Sequence, residues 1–412
     1  MKKYHFSRRH WMNIILCFLL FVLNNACTTD GENVILPRLA QANGWDYAQI
    51  LMWASIAGVL SVLGQFLIGK MCAKRGAKFT IITCMIAAAV FLLLYGSANV
   101  MWLYAIGLFG VVCCSTSFSY IGGSALIANW FPRKKGIAMG FVSIGAPVST
   151  IVMVSLLTML IDKIGLFHGV MIISIVVVVV AIVCGFLLQD RPEMCGETPD
   201  NMSVEEMQQF VLAEEGEEKL SLKELLFCKD FWRIVFIMGS CSIALTGVMA
   251  QFVVRLTDSG FAEPQAIQMM SVCAVIGIFG SLFSGNLENR FGTKKAYLCC
   301  ATVFIAALLI NATNIPVLIF ISIPLFGMVI TILQIFLTSF EVSVFGRKNF
   351  EQSNAVIFPL VSMIGQLCFV IISVCIKLFG QIRYAYFVFA GLLIVSLFVS
   401  QRIKIANYTE DC

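Results

Sequence analysis

The first apolar stretch of the sequence, near residues 11–36, carries two carboxylates in its later part, Asp30 and Glu32. A carboxyl group that faces a cavity inside a membrane can bind and release a proton, because burial disfavours its charged form. Asp30 lies about 28 Å along a helix from Trp11, so it could instead sit at the outer mouth. The two interpretations are a coupling or substrate-binding group and an interfacial acid.

Other polar side chains accompany these acids. The i, i+3, i+4 and i+7 spacing of one helical face is shared by Asn25, Thr28, Thr29 and Glu32. On the predicted seventh span, Gln251 and Arg255 are i,i+4 neighbours. Arg255 could bind an anion, pair with Asp30 or Glu32 as an external gate, or extend to the outer headgroups. Further candidates, which could line a cavity or bond between helices, are Ser115, Ser119, Tyr120, Gln334, Thr338, Ser362 and Gln366.

Metal, redox and nucleotide chemistry have little support in the residue pattern. The sixteen cysteines form no Cys-x-x-Cys pair, and most lie inside apolar stretches, where cysteine is a small hydrophobic residue. The three histidines are not at ligand spacing. No Gly-x-x-x-x-Gly-Lys-Ser/Thr phosphate loop occurs. We therefore expect no cofactor, no metal, no nucleic-acid partner and no enzymatic activity.

The composition requires a membrane. Of 412 residues, 59% are hydrophobic and 12% are charged, too apolar a balance for a water-soluble globule. A helix crosses the hydrocarbon core with roughly 20 apolar residues. Stretches of this kind lie near 11–36, 47–69, 79–97, 101–128, 136–161, 168–189, 231–256, 263–285, 296–312, 315–340, 353–376 and 384–402.

These stretches predict an all-α integral membrane protein with twelve spans in two six-helix pseudo-repeats. The predicted domains are an N-terminal bundle (1–189), an acidic cytoplasmic linker (190–230) and a C-terminal bundle (231–412). Lysine and arginine in short loops set orientation. With both termini in the cytoplasm, 23 of the 28 basic residues lie on the cytoplasmic side. We expect a monomer in the plasma membrane, which in a bacterium is the cell inner membrane.

Two glycine-rich basic segments repeat 216 positions apart and point to two similar halves. Residues 69–78 read GKMCAKRGAK, and residues 285–295 read GNLENRFGTKK. Both lie between apolar stretches, so each is predicted to be a tight cytoplasmic turn.

This pattern resembles the loop between the second and third helices of the major facilitator superfamily, Gly-x-x-x-Asp-Arg-x-Gly-Arg-Arg. The resemblance assigns a gating motif to Gly69, Lys74, Gly76, Lys78, Gly285, Arg290, Gly292 and Lys294. In the family the acid helps to lock the outward-facing state against a neighbouring helix. This sequence has Ala73 and Asn289 in the two acidic positions.

Further stretches resemble the oxalate/formate antiporter and monocarboxylate porter branch of that superfamily. They are residues 128–140 with 145–147, residues 190–200, and residues 345–350. The resemblance implies alternating-access transport of a small carboxylate with proton coupling or exchange. The branch places buried cations in its eighth and eleventh helices, and no Lys or Arg occurs here between Glu263 and Asn289 or between Asn354 and Ile376. The alternatives are a carrier of a neutral or cationic solute and a transport-incompetent membrane sensor of the same fold.

Overall fold

Apolar helices make up most of the residues that the computed structural model describes, which are 6–203, 205–208 and 220–403. Within these residues, ten continuous stretches are long and apolar enough to cross a membrane. Two of them, Pro264–Ala312 and Pro316–Phe379, contain 49 and 64 residues. Since one crossing takes roughly 20 residues, each of these two holds two crossings. The predicted all-α fold with twelve spans is confirmed.

The first six spans differ in how continuous they are. Spans 2, 3 and 6 are single helices, Tyr47–Arg75, Ala77–Gly96 and Leu166–Leu187. Span 1 consists of Arg8–Cys27 and Thr29–Asn43. Span 4 consists of Met101–Thr116, a π-helix over Ser117–Gly123, and Ser124–Trp130. Span 5 consists of Lys135–Ser143 and Gly145–Ile164.

The last six spans repeat this arrangement. Span 7 consists of Lys229–Ala250 and Phe252–Asp258. Spans 8 and 9 form the Glu263–Ala312 helix, which is interrupted at Gly292. Span 10 is Pro316–Val329 and the part of Ile332–Gly365 that precedes Gly346; span 11 is the part after Gly346 with Leu367–Phe379. Span 12 is Arg383–Gln401.

The two predicted basic turns are much shorter than the sequence suggested. Helix continues through Arg75 in the first segment, and only Gly76 departs from it, with φ +88°. In the second segment only Gly292 departs, with φ +78°. Lysine, arginine and alanine favour helix, whereas a positive φ is accessible mainly to glycine. Each predicted tight turn is therefore limited to one glycine, and the basic residues beside it belong to the helices.

Packing divides the chain into two units. Unit 1 contains Met1–Pro132, Val148–Glu218 and Phe350–Pro359; unit 2 contains Arg133–Pro147, Lys219–Asn349 and Leu360–Cys412. The predicted division at 190–230 follows the order of the sequence, whereas packing places the first part of span 5 in unit 2 and the first part of span 11 in unit 1.

The linker between spans 6 and 7 is only partly described. It begins with two short 3-10 helices, Pro192–Cys195 and Pro199–Asn201, and ends with the helix Leu222–Phe227. Ser221 caps that last helix together with Glu224, and these hydrogen bonds lower the pKa of the Glu224 carboxyl. Residues 204 and 209–219 of the predicted linker lie outside the described residues, and they include Glu214, Glu215, Glu217 and Glu218.

Asp190, at the end of span 6, holds the start of span 3. Its Oδ1 accepts a hydrogen bond from the backbone N–H of Lys78 at 2.7 Å. A Cβ at position 76 would lie 2.7 Å from Asp190 Oδ2. Glycine at 76 therefore serves both the backbone conformation and the approach of the carboxylate.

We expect Gly76→Ala to destabilise the protein more than Gly292→Ala. Both substitutions put a side chain on backbone with a positive φ, which costs roughly 1 to 3 kcal/mol. Nothing lies within 4 Å of a Cβ at Gly292, so only Gly76→Ala also displaces a helix cap, worth about 1 kcal/mol. Thermal unfolding in detergent measures the difference. Equal melting temperatures for the two variants would show that Asp190 does not hold span 3.

Candidate functional site

A buried carboxylate joins spans 1 and 5 within unit 1. The Asp30 side chain accepts hydrogen bonds from Ser149 Oγ at 2.7 Å and from Thr150 Oγ1 at 3.1 Å. Asp30 is only 4% exposed. The predicted alternative of an acid at a solvated mouth does not fit this burial.

The interruption of span 1 at Thr28 sets the position of Asp30. Thr28 has φ −105° and ψ −108°, outside the helical region, and the second helix of the span starts at Thr29. The Thr28 hydroxyl and the Thr28 backbone N–H both donate to the carbonyl of Asn24, at 2.8 Å and 2.9 Å. Asp30 thus lies in the first turn of a new helix, where free N–H groups stabilise negative charge.

The surroundings of Asp30 suit a group that alternates between two protonation states. Two hydroxyl donors and a helix N-terminus stabilise the carboxylate, whereas burial favours the neutral acid. The ion pairs found in the described residues do not include Asp30, so no salt bridge there holds it in its charged form. The arrangement can bind a proton or hydrogen-bond a polar solute.

The neighbours of Asp30 do not share its surroundings. Glu32 is half-buried, and its carboxylate has no hydrogen-bond partner among the described side chains. Asn25 accepts a hydrogen bond from Asn24 at 3.3 Å. Thr28 is buried whereas Thr29 is exposed. The predicted common face of Asn25, Thr28, Thr29 and Glu32 is wrong, because the helix is interrupted between its members.

Tyr120 lies in the π-helix of span 4, also in unit 1. Its ring stacks on Phe358 with centroids 5.1 Å apart and meets the edge of Phe21 at 4.9 Å. Its backbone carbonyl accepts a hydrogen bond from Asn354 Nδ2 at 3.2 Å. A π-helix leaves carbonyl groups outside the regular helical pattern, and Asn354 satisfies one of them. The Tyr120 ring therefore packs against Phe21 and Phe358 beside an irregular backbone segment.

The candidate glutamines of unit 2 lie at or near similar interruptions. Gln251 separates the two helices of span 7, and Gln366 separates the two helices of span 11. Gln334 follows the break of span 10 at Thr331. In a membrane, irregular backbone is tolerated only inside protein or beside a water-filled cavity. Each of these three glutamines therefore lies at or near an irregular backbone segment of its span.

Arg255 is engaged within unit 2 and is 3% exposed. Its guanidinium donates to the Asn311 carbonyl at 2.6 Å, to Asn314 Oδ1 at 3.0 Å and to Ser259 Oγ. The bonds to Asn311 and Asn314 connect span 7 with the end of span 9 and with the connection between spans 9 and 10. The predicted extension of Arg255 to the outer headgroups is wrong because the side chain is buried. The contacts favour a structural role over the predicted gate or anion site.

Comparison with known proteins identifies the family. The family model of the Major Facilitator Superfamily matches residues 14–340. The chain belongs to this superfamily. Among curated proteins, it is 25% identical over 210 residues to human monocarboxylate transporter 10, covering 49% of this chain and 39% of that protein. It is 21% identical over 319 residues to a probable hexose phosphate transport protein of Chlamydia trachomatis, covering 71% of this chain and 67% of that protein.

Solved structures of superfamily members have the same fold. The transporter FucP in its outward conformation superposes with a TM-score of 0.73 at 18% identity, over 96% of this chain and 99% of that chain. The proton:xylose symporter XylE superposes with a TM-score of 0.74 at 10% identity, over 96% of this chain and 95% of that chain. The predicted superfamily membership is confirmed. The superfamily consists of membrane transporters and not of enzymes.

The two segments that resemble the superfamily's gating motif approach other spans through glycines. Gly69 allows span 2 to approach span 11 within unit 1, since a Cβ there would lie 2.7 Å from Ala355 Cα. Gly285 does the same for spans 5 and 8 in unit 2, where a Cβ would overlap the carbonyl oxygen of Gly136. Lys74 and Arg290 are exposed, and Lys78 and Lys294 are half-buried. The basic side chains of the motif thus remain near solvent.

The second motif contains a buried acid, Glu288, that the motif pattern did not predict. Glu288 precedes Asn289, the position where the superfamily has its acid, and is 4% exposed. Its Oε1 accepts a hydrogen bond from Thr293 at 2.8 Å and lies 4.0 Å from Lys135 Nζ. A side chain at Gly136 would overlap the Glu288 carboxylate. The sequence does contain a signal for this acid, because Glu288 lies one residue before the acidic position of the motif.

Glu288→Ala is expected to lower the melting temperature, because it removes the acceptor of Thr293 and a carboxylate facing Lys135. The expected cost is roughly 1 to 3 kcal/mol. Asn289→Ala, at the exposed neighbouring position, should have almost no effect. Thermal unfolding of both variants in the same detergent makes the comparison. A Glu288→Ala protein as stable as the Asn289→Ala protein would contradict this assignment.

Arg255→Gln is expected to destabilise unit 2, because it cannot replace three hydrogen bonds from a buried guanidinium. Bonds to charged groups contribute roughly 1.5 to 3 kcal/mol each, so the unfolding transition should move clearly to lower temperature. Lys377→Gln removes an exposed cation from the end of span 11 and serves as the control. If both variants unfold at the wild-type temperature, Arg255 is free for another role.

Proposed function

We propose that this superfamily member is a secondary active transporter that moves a small organic carboxylate by alternating access, with coupling to a proton or to a second solute. The observation that carries the proposal is the buried Asp30 carboxylate with its two hydroxyl donors on span 5. The names of two relatives describe anionic solutes, a monocarboxylate in one and a hexose phosphate in the other, and this likeness supports the choice of an anion.

Protonation of Asp30 provides a coupling mechanism. When the carboxylate is neutral, a negatively charged solute can approach span 1 without repulsion. When the proton leaves on the other side, the charged carboxylate disfavours return of the anion. Ser149 and Thr150 can stay hydrogen-bonded in both states, since a hydroxyl can donate to a carboxylate and accept from a carboxylic acid.

A second candidate function is transport of a neutral or cationic solute. It is favoured by the absence of Lys and Arg from residues 264–288 and 355–375. An anion inside a membrane protein needs a cation or several donors, and Arg255 already donates to Asn311, Asn314 and Ser259. In this alternative, Asp30 would bind the solute directly. A transport-incompetent sensor of the same fold is the third alternative.

The placement in the cell is part of the proposal. The charge distribution supports both termini in the cytoplasm, because 23 of 28 basic residues then lie on that side. We infer a monomer in the plasma membrane, with the lipid bilayer and one small solute as its partners. The two six-helix halves, 1–189 and 231–412, would move against each other.

The solute class is open to a direct screen. Thermal-shift measurements on the purified protein against formate, oxalate, lactate and pyruvate, with glucose and amino acids in parallel, would select a ligand. Stabilisation by a carboxylate supports the first candidate, and stabilisation only by a sugar or an amino acid supports the second. The selected compound then serves as the substrate in proteoliposomes.

In proteoliposomes, Asp30→Asn should abolish accumulation driven by an imposed pH gradient and leave solute exchange across the membrane. The reason is that asparagine keeps the size and some hydrogen bonds of the neutral acid but cannot release a proton. Glu32→Gln, the half-buried neighbour without a described partner, should retain both activities. Radiolabelled uptake and counterflow measure the two activities. Normal pH-driven accumulation by Asp30→Asn would contradict the coupling role.

A further inference from the structure

Unit 1 contains a cavity of about 400 Å³ that lies at one end of spans 1, 4 and 6. It is lined by Arg8 and Arg9 at the start of span 1, by Trp130 at the end of span 4 and by Phe186 at the end of span 6. None of these residues takes part in the Asp30 site. The cavity is therefore separate from the proposed transport function.

The cavity has one strongly basic side. Arg8 and Arg9 are both exposed, and neither forms an ion pair within the described part of the chain. Arg9 donates a hydrogen bond to the backbone carbonyl of Cys195. Because a carbonyl group has no net charge, this bond does not compensate the positive charge of Arg9. Among the residues that the structure describes, the cavity lining includes no carboxylate. Two guanidinium groups at one opening form a favourable environment for a phosphate, which arginine binds through paired N–H donors.

Another part of the cavity lining is apolar and exposed, and it lies at the end of span 6. Phe186 is 82% exposed and Leu187 is 42% exposed. Both residues lie at the end of span 6, which is strongly apolar. Trp130 lies between the two sides and donates its indole N–H to the Gln189 carbonyl at 2.9 Å. Exposed aromatic and aliphatic residues at the end of a membrane span contact acyl chains near the headgroup level.

We propose that this cavity binds the headgroup of an acidic phospholipid, with its phosphate on Arg8 and Arg9 and its acyl chains along Phe186 and Leu187. A basic pocket between membrane helices is the usual form of such sites. A free phosphate would use only the arginines, whereas a lipid also uses the apolar side. The chemistry of both sides therefore favours the lipid.

Native mass spectrometry of the delipidated, full-length protein tests the proposal, with phosphatidylglycerol and phosphatidylcholine as probes. The wild type is expected to bind one phosphatidylglycerol more tightly than any phosphatidylcholine. In Arg8→Gln/Arg9→Gln the affinity of that site should fall roughly 10- to 30-fold, since each basic residue contributes about 1 kcal/mol near an anionic lipid surface. Lys223→Gln/Lys229→Gln removes two exposed charges elsewhere and should bind like the wild type.

Arg8→Lys/Arg9→Lys keeps both charges and separates binding from misfolding, because it should retain most of the affinity. The proposal is overturned if phosphatidylcholine binds as tightly as phosphatidylglycerol, or if both glutamine double variants lose affinity equally. It is also overturned if millimolar inorganic phosphate displaces the lipid completely, which would indicate a simple anion site. Unchanged binding in Arg8→Gln/Arg9→Gln would likewise exclude this cavity.

Discussion

In the hydrocarbon core, each backbone N–H and C=O group must find a partner within the protein, and this constraint governs where the helices of this transporter can be interrupted. Interruptions occur at corresponding places in the two halves. Spans 1 and 7 break at Thr28 and Gln251, and spans 5 and 11 break at Ile144 and Gln366. At the first of these breaks, the Thr28 hydroxyl adds a second hydrogen bond to the carbonyl of Asn24.

The interruption of span 1 has a chemical consequence. A continuous helix would leave Asp30 without a nearby helix N-terminus, so burial would oppose its charged form strongly. The break places the carboxylate in the first turn of a new helix and beside two hydroxyl groups of span 5. The same device, an acid at the start of a helix, recurs with Asp190 at span 3 and with Glu288 near the start of span 5. The charges of these three acids are thus compensated by helix N-termini, hydrogen-bond donors or, for Glu288, a nearby lysine.

Glycine makes the close contacts between spans possible. Gly69 and Gly285 occupy equivalent positions in the two motifs, and each meets the backbone of another span. Gly76 and Gly292 instead provide backbone conformations that other residues rarely adopt. The motif therefore combines two requirements, close approach before the turn and a positive φ at it. The basic residues beside these glycines are exposed or half-buried, so they contribute little to packing.

The sequence alone determined the features that depend on composition and local pattern. Apolar stretches of about 20 residues gave the twelve spans, because the thickness of the bilayer fixes the length of a crossing. The repeated glycine motif gave the family resemblance. Local helix preference also explains why the first basic segment is helical up to Gly76, since its lysine, arginine and alanine residues favour helix.

Only the tertiary structure decided which polar residues matter. Asp30 and Glu32 are two positions apart and looked equivalent, yet only Asp30 meets hydroxyl groups that lie 119 and 120 positions away. Arg255 looked available for an anion, but residues 56 and 59 positions away bind its guanidinium. Glu288 was overlooked because its partner Lys135 is distant in sequence. Such pairings arise when helices pack, so no local pattern contains them.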